Sequence, residues 1–191
     1  MGPFVVPDWN APIDLPAYLA GVPARATIKG VFPGAMVESA RRKGVSLPNA
    51  RAKYHPFADV PITEYLPLLL AAAEWMFPGM SQREALRKVG RASFNAVEKS
   101  MLGRILLTGL LDLRSNLAIM GKVMTLAVAP SHLEVVELGE RRTILHFSDW
   151  YVFLDSHLVG ALEKVASASK LRVEVRVSLM TPYEGDVEMT W

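Results

Sequence analysis

The stretch LEVVELGERRTILHF, residues 133–147, decides the fold class because the spacing of apolar residues changes here. Before Pro130, apolar residues recur at the three- and four-residue intervals of an amphipathic helix. After it, apolar and polar residues alternate on both sides of Gly139. Two alternating segments around a glycine predict an antiparallel β-hairpin.

The sequence after this hairpin predicts one helix and a second strand pair. Residues 154–170 form an amphipathic pattern with Asp155 or Ser156 as the helix N-cap. Residues 171–179 and 186–191 alternate, separated by the turn TPYEG. In the first of these strands, we expect the residues that face the core to be Val173, Val175, Val177 and Leu179, and those on the opposite face to be Glu174, Arg176 and Ser178. The C-terminal third is therefore predicted as β-β-α-β-β, with one sheet face open to water.

The first two thirds of the chain predict helices. Pro33 and Gly44 mark the start and the end of a helix over about 33–43. Apolar residues from Ile62 to Phe77 share one face of a second helix. Pro67 either bends this second helix or marks its start. Ser81 and Glu84 form a capping box for a helix that runs to about residue 98, and a further helix covers roughly 114–127. We predict an α+β fold: an N-terminal helical bundle followed by a β-β-α-β-β antiparallel sheet unit.

Two segments divide the chain. Residues 1–26 contain five prolines and predict an irregular Pro-rich N-terminal arm with one helical turn near residues 15–21. Trp9 is the expected anchor of this arm on the body. Residues 27–191 predict a single α+β domain.

Composition excludes several classes of protein. Of the 191 residues, 51% are hydrophobic and none is cysteine, which excludes whole-chain disorder, disulfides and thiolate sites. No apolar run reaches the roughly 18 residues of a membrane helix, and no signal peptide is visible, so a cytoplasmic protein is expected. A formal charge of +2 does not favour a nucleic-acid partner.

No catalytic or metal-binding motif is present, and we predict no catalytic residues and no metal site. His55 and Asp59 lie in one loop, where a local hydrogen bond is the favoured interpretation and catalysis is a third hypothesis. His146 is expected on the opposite sheet face from its neighbours, and His157 at a neutral surface position. Three arginines follow at helical spacing, which favours a solvated helix face over phosphate binding: Arg83, Arg87 and Arg91.

A stripe of small residues runs along the predicted helices after residue 81. Small side chains on one face let a second backbone approach closely, and each helical glycine costs about 1 kcal/mol relative to alanine. We therefore favour a packing role over an anion-binding Ser-Gly-Arg pocket. Whether the stripe packs within one chain or between two stays open. The interface candidates are Gly90, Ser93, Ser100, Gly103 and Arg104.

Several blocks of the sequence resemble a family of myxobacterial paralogous proteins of unknown function. The resemblance covers about residues 26–191. It runs through ATIKGVFPGAMVESARRKG, YHPFADVPITEYLPLLLAAAEWMFPGMSQREALRKVGR, SMLGRILL, FLDSHLVGALEKV and DVEMTW. The family carries no assigned activity.

The layout in turn is similar to heme-nitric-oxide-binding domains, 4-vinyl-reductase-type ligand-binding domains and vesicle-tethering subunits. That resemblance implies an apolar pocket between helices and sheet that holds a small ligand. Heme-binding members need an axial histidine on a late helix and a Y-x-S-x-R motif. Residues 115–128 contain no histidine and the motif is missing, so no cofactor is expected.

The leading hypothesis is a non-enzymatic cytoplasmic sensor or adaptor domain. It binds a small apolar or amphipathic ligand, or a partner protein. The alternative is an interaction or oligomerisation module, a possible homodimer, that uses the small-residue stripe or the edge strands. The predicted pocket residues are Leu66, Leu69, Met76, Met101, Leu106, Met124 and Val175.

Overall fold

The computed structural model describes residues 2–99, 117, 121 and 124–191, with backbone alone for residues 94–99. The helices are α1 (Leu15–Ala20), α2 (Val31–Arg42), α3 (Ile62–Met76), α4 (Gln82–Lys99) and α5 (His157–Ala168). Residues 124–127 are also helical. None of the helices in these described ranges has the length and apolar composition needed to cross a membrane.

Helix boundaries follow the local chemistry of the sequence. α4 begins as predicted, because the backbone N–H of Glu84 donates to Ser81 Oγ over 3.4 Å. α2 begins two residues earlier than predicted and ends at Arg42, just before Gly44 adopts a left-handed φ of +73°. Pro67 lies inside α3 and does not mark its start. Most of the predicted helix 114–127 lies outside the described residues.

In the part of the chain that the structure describes, seven strands form two antiparallel sheets. The larger sheet has the order β4-β5-β7-β6 and the smaller one β2-β1-β3. Helix α5 connects the two hairpins of the larger sheet, which confirms the predicted β-β-α-β-β unit within an α+β fold. The small sheet was not predicted, since strands of two or three residues leave no period to detect. The strands are β1 (Thr27–Lys29), β2 (Asp59–Pro61), β3 (Val128–Ala129), β4 (His132–Leu138), β5 (Arg142–Ser148), β6 (Glu174–Thr181) and β7 (Glu184–Thr190).

One face of the larger sheet closes the core. Leu145 of β5 pairs with Val187 of the neighbouring strand β7, and Val187 in turn pairs with Val177 of β6. All three side chains are buried in the same apolar cluster as α3 and α5. The sheet therefore forms the second layer of a single core.

The end of β6 departs from the predicted alternation. Val175 and Val177 are buried as expected, but Leu179 is 44% exposed and Ser178 only 4% exposed. Leu179 is still paired in register with Gly185, and the register between β6 and β7 shifts after it, between Leu179 and Thr181. Val173 precedes the strand.

The outer sheet face is less open to water than predicted. Asp186 is 2% exposed and lies at the centre of this face, where its Oδ1 is 2.8 Å from His146 Nδ1. His146 is on the opposite face from Leu145 and Phe147, as the alternation predicted. Glu188, also on β7, is mostly buried and accepts a hydrogen bond from Arg142.

Helices α4 and α5 touch through their backbones. A Cβ at Gly90 of α4 would lie 1.9 Å from the carbonyl oxygen of His157. A Cβ at Gly160 of α5 would lie 1.8 Å from the carbonyl oxygen of Arg87. Each glycine therefore admits the backbone of the other helix, and no larger residue fits either position.

His157 is buried in this contact, so the prediction of a surface position is wrong. Its Nε2 lies 3.4 Å from Ser93 Oγ, and that hydroxyl donates to the carbonyl of Val89. Among the described residues, His157 Nδ1 has no hydrogen-bond partner. Burial lowers the pKa of His157 from 6.5 to about 4, so the ring is neutral, as the sequence indicated.

We expect Gly90→Ala to lower the free energy of unfolding by about 2 kcal/mol or more, since the new methyl group overlaps a backbone carbonyl. Gly34→Ala is the matched control, because its Cβ would meet Tyr54 Cβ at 3.4 Å, an ordinary contact in helix α2. The control should be neutral or stabilising by up to about 1 kcal/mol. Urea denaturation of both variants measures this. Equal effects would contradict the backbone contact.

The free energy of unfolding should fall as the pH is lowered from 6.5 to 4, because His157 is buried in the folded chain. The unfolded chain binds a proton at this residue below pH 6.5, whereas the folded chain resists protonation down to about pH 4. Protonation therefore favours unfolding over this window, by about 3 kcal/mol in full. His157→Gln should flatten this part of the stability curve relative to the wild type, and exposed His132→Gln should not. Parallel curves for wild type and His157→Gln would refute the assignment.

Candidate functional site

The N-terminal arm lies across the edge of the larger sheet. The Val5 N–H donates to the Val177 carbonyl over 2.9 Å, and the Val177 N–H donates back over 2.8 Å. Prolines at positions 3 and 7 flank this pair and have no N–H to donate. The arm therefore adds one pair of hydrogen bonds to the sheet and does not extend into a longer strand.

Arginines on α4 hold the next part of the arm. Arg83 Nε donates to the Ala11 carbonyl over 2.9 Å. The guanidinium carbon of Arg87 lies 4.6 Å from the centre of the Trp9 ring, a cation–π contact. Trp9 thus contacts the body at the position expected of an anchor.

The docked arm leaves a cleft between itself, α4 and the end of β6. The cleft has two lobes, of about 340 and 420 Å³, which share Arg83, Asp155 and Leu179, and we call it the arm cleft. The first lobe is further lined by Ile13, Asp14, Tyr18, Phe153, Met180, Thr181 and Pro182. The second is further lined by Gly2, Pro3, Val5, Pro7, Asp8, Ala11, Val177 and Ser178.

An ion pair between Arg83 and Asp155 lies where the two lobes meet. Both side chains are only 19% exposed. Burial lowers the pKa of the Arg83 guanidinium, and the nearby charge of Asp8 opposes that shift. A buried guanidinium and carboxylate supply directed donors and acceptors in a place where water screens charge weakly.

Aromatic rings form one wall of the arm cleft. The ring centres of Tyr18 and Phe153 are 4.8 Å apart, and Tyr183 packs edge-on against Tyr18 at 5.0 Å. The Tyr18 hydroxyl donates to the Pro182 carbonyl over 3.3 Å, and the Tyr183 hydroxyl donates to the Tyr18 carbonyl. Burial raises the pKa of Tyr18, so its hydroxyl stays protonated and acts as a donor.

Phe153 has an unusual backbone conformation for a bulky residue. Its φ is +34°, in the left-handed region that disfavours side chains beyond glycine. The residue is 2% exposed and belongs to the buried segment that leads into α5. Strain of this kind persists where packing enforces it, and it is concentrated at functional sites.

The three arginines at helical spacing do not form the solvated face that the sequence favoured. Arg83 pairs with Asp155, while Arg87 and Arg91 both pair with Glu163 of α5. Glu163 is 8% exposed, so this second cluster lies in the α4–α5 contact. Each arginine of the stripe is therefore paired with a carboxylate of α5 or of the segment before it.

The predicted pocket residues fall at different depths. Leu66, Leu69 and Val175 are buried in the main core cluster, and Met124 packs against that cluster while half-buried. Met76 is half-buried at the end of α3. The last two, Met101 and Leu106, lie outside the described residues. None of the five described residues lines the arm cleft.

The described interface candidates face the interior of the same chain. Gly90 and Ser93 both contact α5. Ser100, Gly103 and Arg104 lie outside the described residues. The described part of the stripe thus packs helix on helix within one chain.

His55 and Asp59 do not form the hydrogen bond favoured from the sequence. Asp59 Oδ1 accepts from Lys29 Nζ over 2.7 Å, across the β1–β2 pair. His55 is exposed, with its ring 6.4 Å from that of Phe57. The pairing of β1 with β2, which the sequence did not reveal, supplies the competing cation.

Residues 23–191 match the family described as protein of unknown function DUF2378. The chain belongs to this family. The match begins at residue 23, so residues 1–22 of the arm lie outside it. No curated protein matches the sequence.

Several solved H-NOX proteins share the fold. The unliganded Fe(II) H-NOX protein from K. algicida is 16% identical, with a TM-score of 0.64 over 85% of this chain and 96% of that one. A mutant H-NOX protein of T. tengcongensis is 17% identical, with a TM-score of 0.62 over 85% and 97%. The S. oneidensis H-NOX protein in the Fe(II)NO state is 14% identical, with a TM-score of 0.61 over 85% and 98%. At this identity the likeness establishes the fold alone.

The histidines of this chain do not fit a histidine-ligated heme. His55 and His132 are exposed, His146 is bonded to Asp186 on the outer sheet face, and His157 is enclosed where α4 and α5 touch. No porphyrin fits between two backbones in contact. The chain has no cysteine to serve instead. Within the described residues, no group of three histidine, aspartate or glutamate side chains is arranged to hold a metal ion.

We expect Arg83→Met to lower the free energy of unfolding by about 1–3 kcal/mol, because Asp155 is left buried without its partner. Arg42→Met is the matched control, since Arg42 and its partner Glu38 are 77% and 53% exposed. That change should stay within about 0.5 kcal/mol. Chemical denaturation measures the free energy of unfolding of both variants. Equal losses would show that the partly buried Arg83–Asp155 pair contributes no more to stability than an exposed pair does.

Proposed function

We propose that this protein is a non-enzymatic sensor or adaptor domain that binds a small amphipathic ligand in the arm cleft. The observation that carries the proposal is the Arg83–Asp155 pair, which lies mostly buried between two cavities with apolar and aromatic walls. Small-molecule sites are typically concave, mainly apolar, and supplied with a few polar groups.

The volume and the wall chemistry of the arm cleft support this proposal. Ligand pockets span about 300–1,000 Å³, and the lobes of the cleft measure about 340 and 420 Å³. Leu179 and Met180, at 44% and 51% exposed, present apolar surface beside the ion pair. An amphipathic molecule matches both parts, with its apolar portion on these side chains and its polar group near Arg83 or Asp155.

The shared fold also supports the sensor class. The H-NOX structures with which this chain shares its fold include unliganded and NO-bound states. Since the histidines here do not fit heme, the proposal places the ligand at a different site. A ligand in the arm cleft contacts the arm, and a change in the position of the arm changes the surface that a partner protein would bind.

Octan-1-ol is a suitable neutral probe of the arm cleft. In two-dimensional amide NMR, its addition should shift the signals of Phe153, Leu179 and Thr181, which line the first lobe. Leu179→Trp should fill the lobe and weaken binding at least about tenfold, about 1.4 kcal/mol.

Leu138→Trp is the matched control for that variant. Leu138 is also 44% exposed and also lies on a strand of the larger sheet, but it is on β4, which does not line the cleft. It should leave octan-1-ol binding unchanged. An absence of shifts in the wild type, or equal loss in both variants, would overturn the proposed site.

Self-association through β4 is the second candidate function. β4 is an edge strand, and Val135, Val136 and Leu138 on it are 40–49% exposed. Exposed apolar edge strands favour pairing with another chain. Native mass spectrometry of the purified protein separates the two functions: a bound small mass supports the ligand site, and a bare dimer supports self-association.

A further inference from the structure

The charges around the arm cleft select one class of amphipathic ligand, and this step rests on the proposed function. Among the lining residues, the first lobe carries Asp14 and Asp155 against Arg83. The second lobe carries Asp8 and Asp155 against the same guanidinium. Since Arg83 and Asp155 neutralise each other, Asp8 and Asp14 leave both lobes net negative.

Two backbone hydrogen bonds fix the positions of these carboxylates. Asp8 Oδ1 accepts from the Asn10 N–H over 3.0 Å. Asp14 Oδ1 accepts from the Ala17 N–H over 3.0 Å and caps α1. Among the described residues, the second oxygen of each carboxylate has no hydrogen-bond partner, and Arg83 is the only cation that lines either lobe.

The aromatic wall favours the same sign of charge. The faces of aromatic rings attract cations, and quaternary ammonium groups are commonly bound by such rings. Tyr18, which is half-buried and packs on the buried ring of Phe153, lines the lobe that contains Asp14. An anionic headgroup would instead have to displace Asp155 from Arg83 and meet two further carboxylates.

We propose that the ligand of the arm cleft is an amphipathic cation, with its ammonium group beside Asp14 and the aromatic wall of the first lobe and its apolar chain along Leu179 and Met180. Most of the groups that set this preference lie in residues 2–22, outside the family match. The preference for a cation therefore comes from the arm of this chain. The residues that match the family do not by themselves favour a cation over an anion.

Three probes with the same eight-carbon chain test the charge. Octyltrimethylammonium should bind at least about threefold tighter than octan-1-ol, and octanoate at least about threefold weaker, as expected for carboxylates near the surface. The differences should shrink as salt rises, because exposed charges are screened. Amide NMR titrations of the full chain give the three dissociation constants.

Charge-neutralising variants locate the effect. Asp14→Asn keeps the cap of α1, because asparagine caps helices as well as aspartate does. It should weaken octyltrimethylammonium binding about two- to fivefold more than it weakens octan-1-ol binding. Glu140→Gln, an equal charge change at the exposed β4–β5 turn, is the control and should change neither.

The outcomes separate the two proposals. If octan-1-ol binds in the cleft but octanoate binds as tightly as the ammonium probe, the cation is wrong and the ligand site stands. The same holds if Asp14→Asn and Glu140→Gln weaken the ammonium probe equally. If none of the three probes shifts the cleft signals, both the site and its ligand class are refuted.

Discussion

The direct backbone contact between α4 and α5 is the constraint on which the rest of the molecule depends. Gly90 and Gly160 meet the carbonyls of His157 and Arg87, which fixes the separation of the helices and their register along each other. The Arg87–Glu163 pair requires that register. One pair of glycines thus sets both the apolar and the ionic contacts between these helices.

The same constraint builds the arm cleft. Arg83 lies two turns before Gly90 on α4, and Asp155 just precedes α5, so the helix contact brings the guanidinium and the carboxylate together. The pair then receives the arm, because Arg83 also donates to the Ala11 carbonyl. The segment that covers the cleft is therefore positioned by the packing of two helices in the body.

The sequence predicted those elements whose residues follow a regular spacing or a local capping pattern. The β-β-α-β-β unit and the N-cap at Ser81 are local signals, and the structure confirms both. The arm cleft was missed because Tyr18, Arg83 and Phe153 are far apart in the chain and share no motif. His157 was misplaced for the same reason, since helical position gives charge preference but not the neighbour that buries a side chain.

The contact between Tyr18 and Tyr183 joins residues that are 165 positions apart in the sequence. Synthesis proceeds from the N-terminus, and a domain generally folds as a unit. Tyr18 is therefore synthesised long before its partner ring and strand β6. The arm cleft is completed only after β6 has been added, and a chain truncated before that strand lacks one side of the cleft.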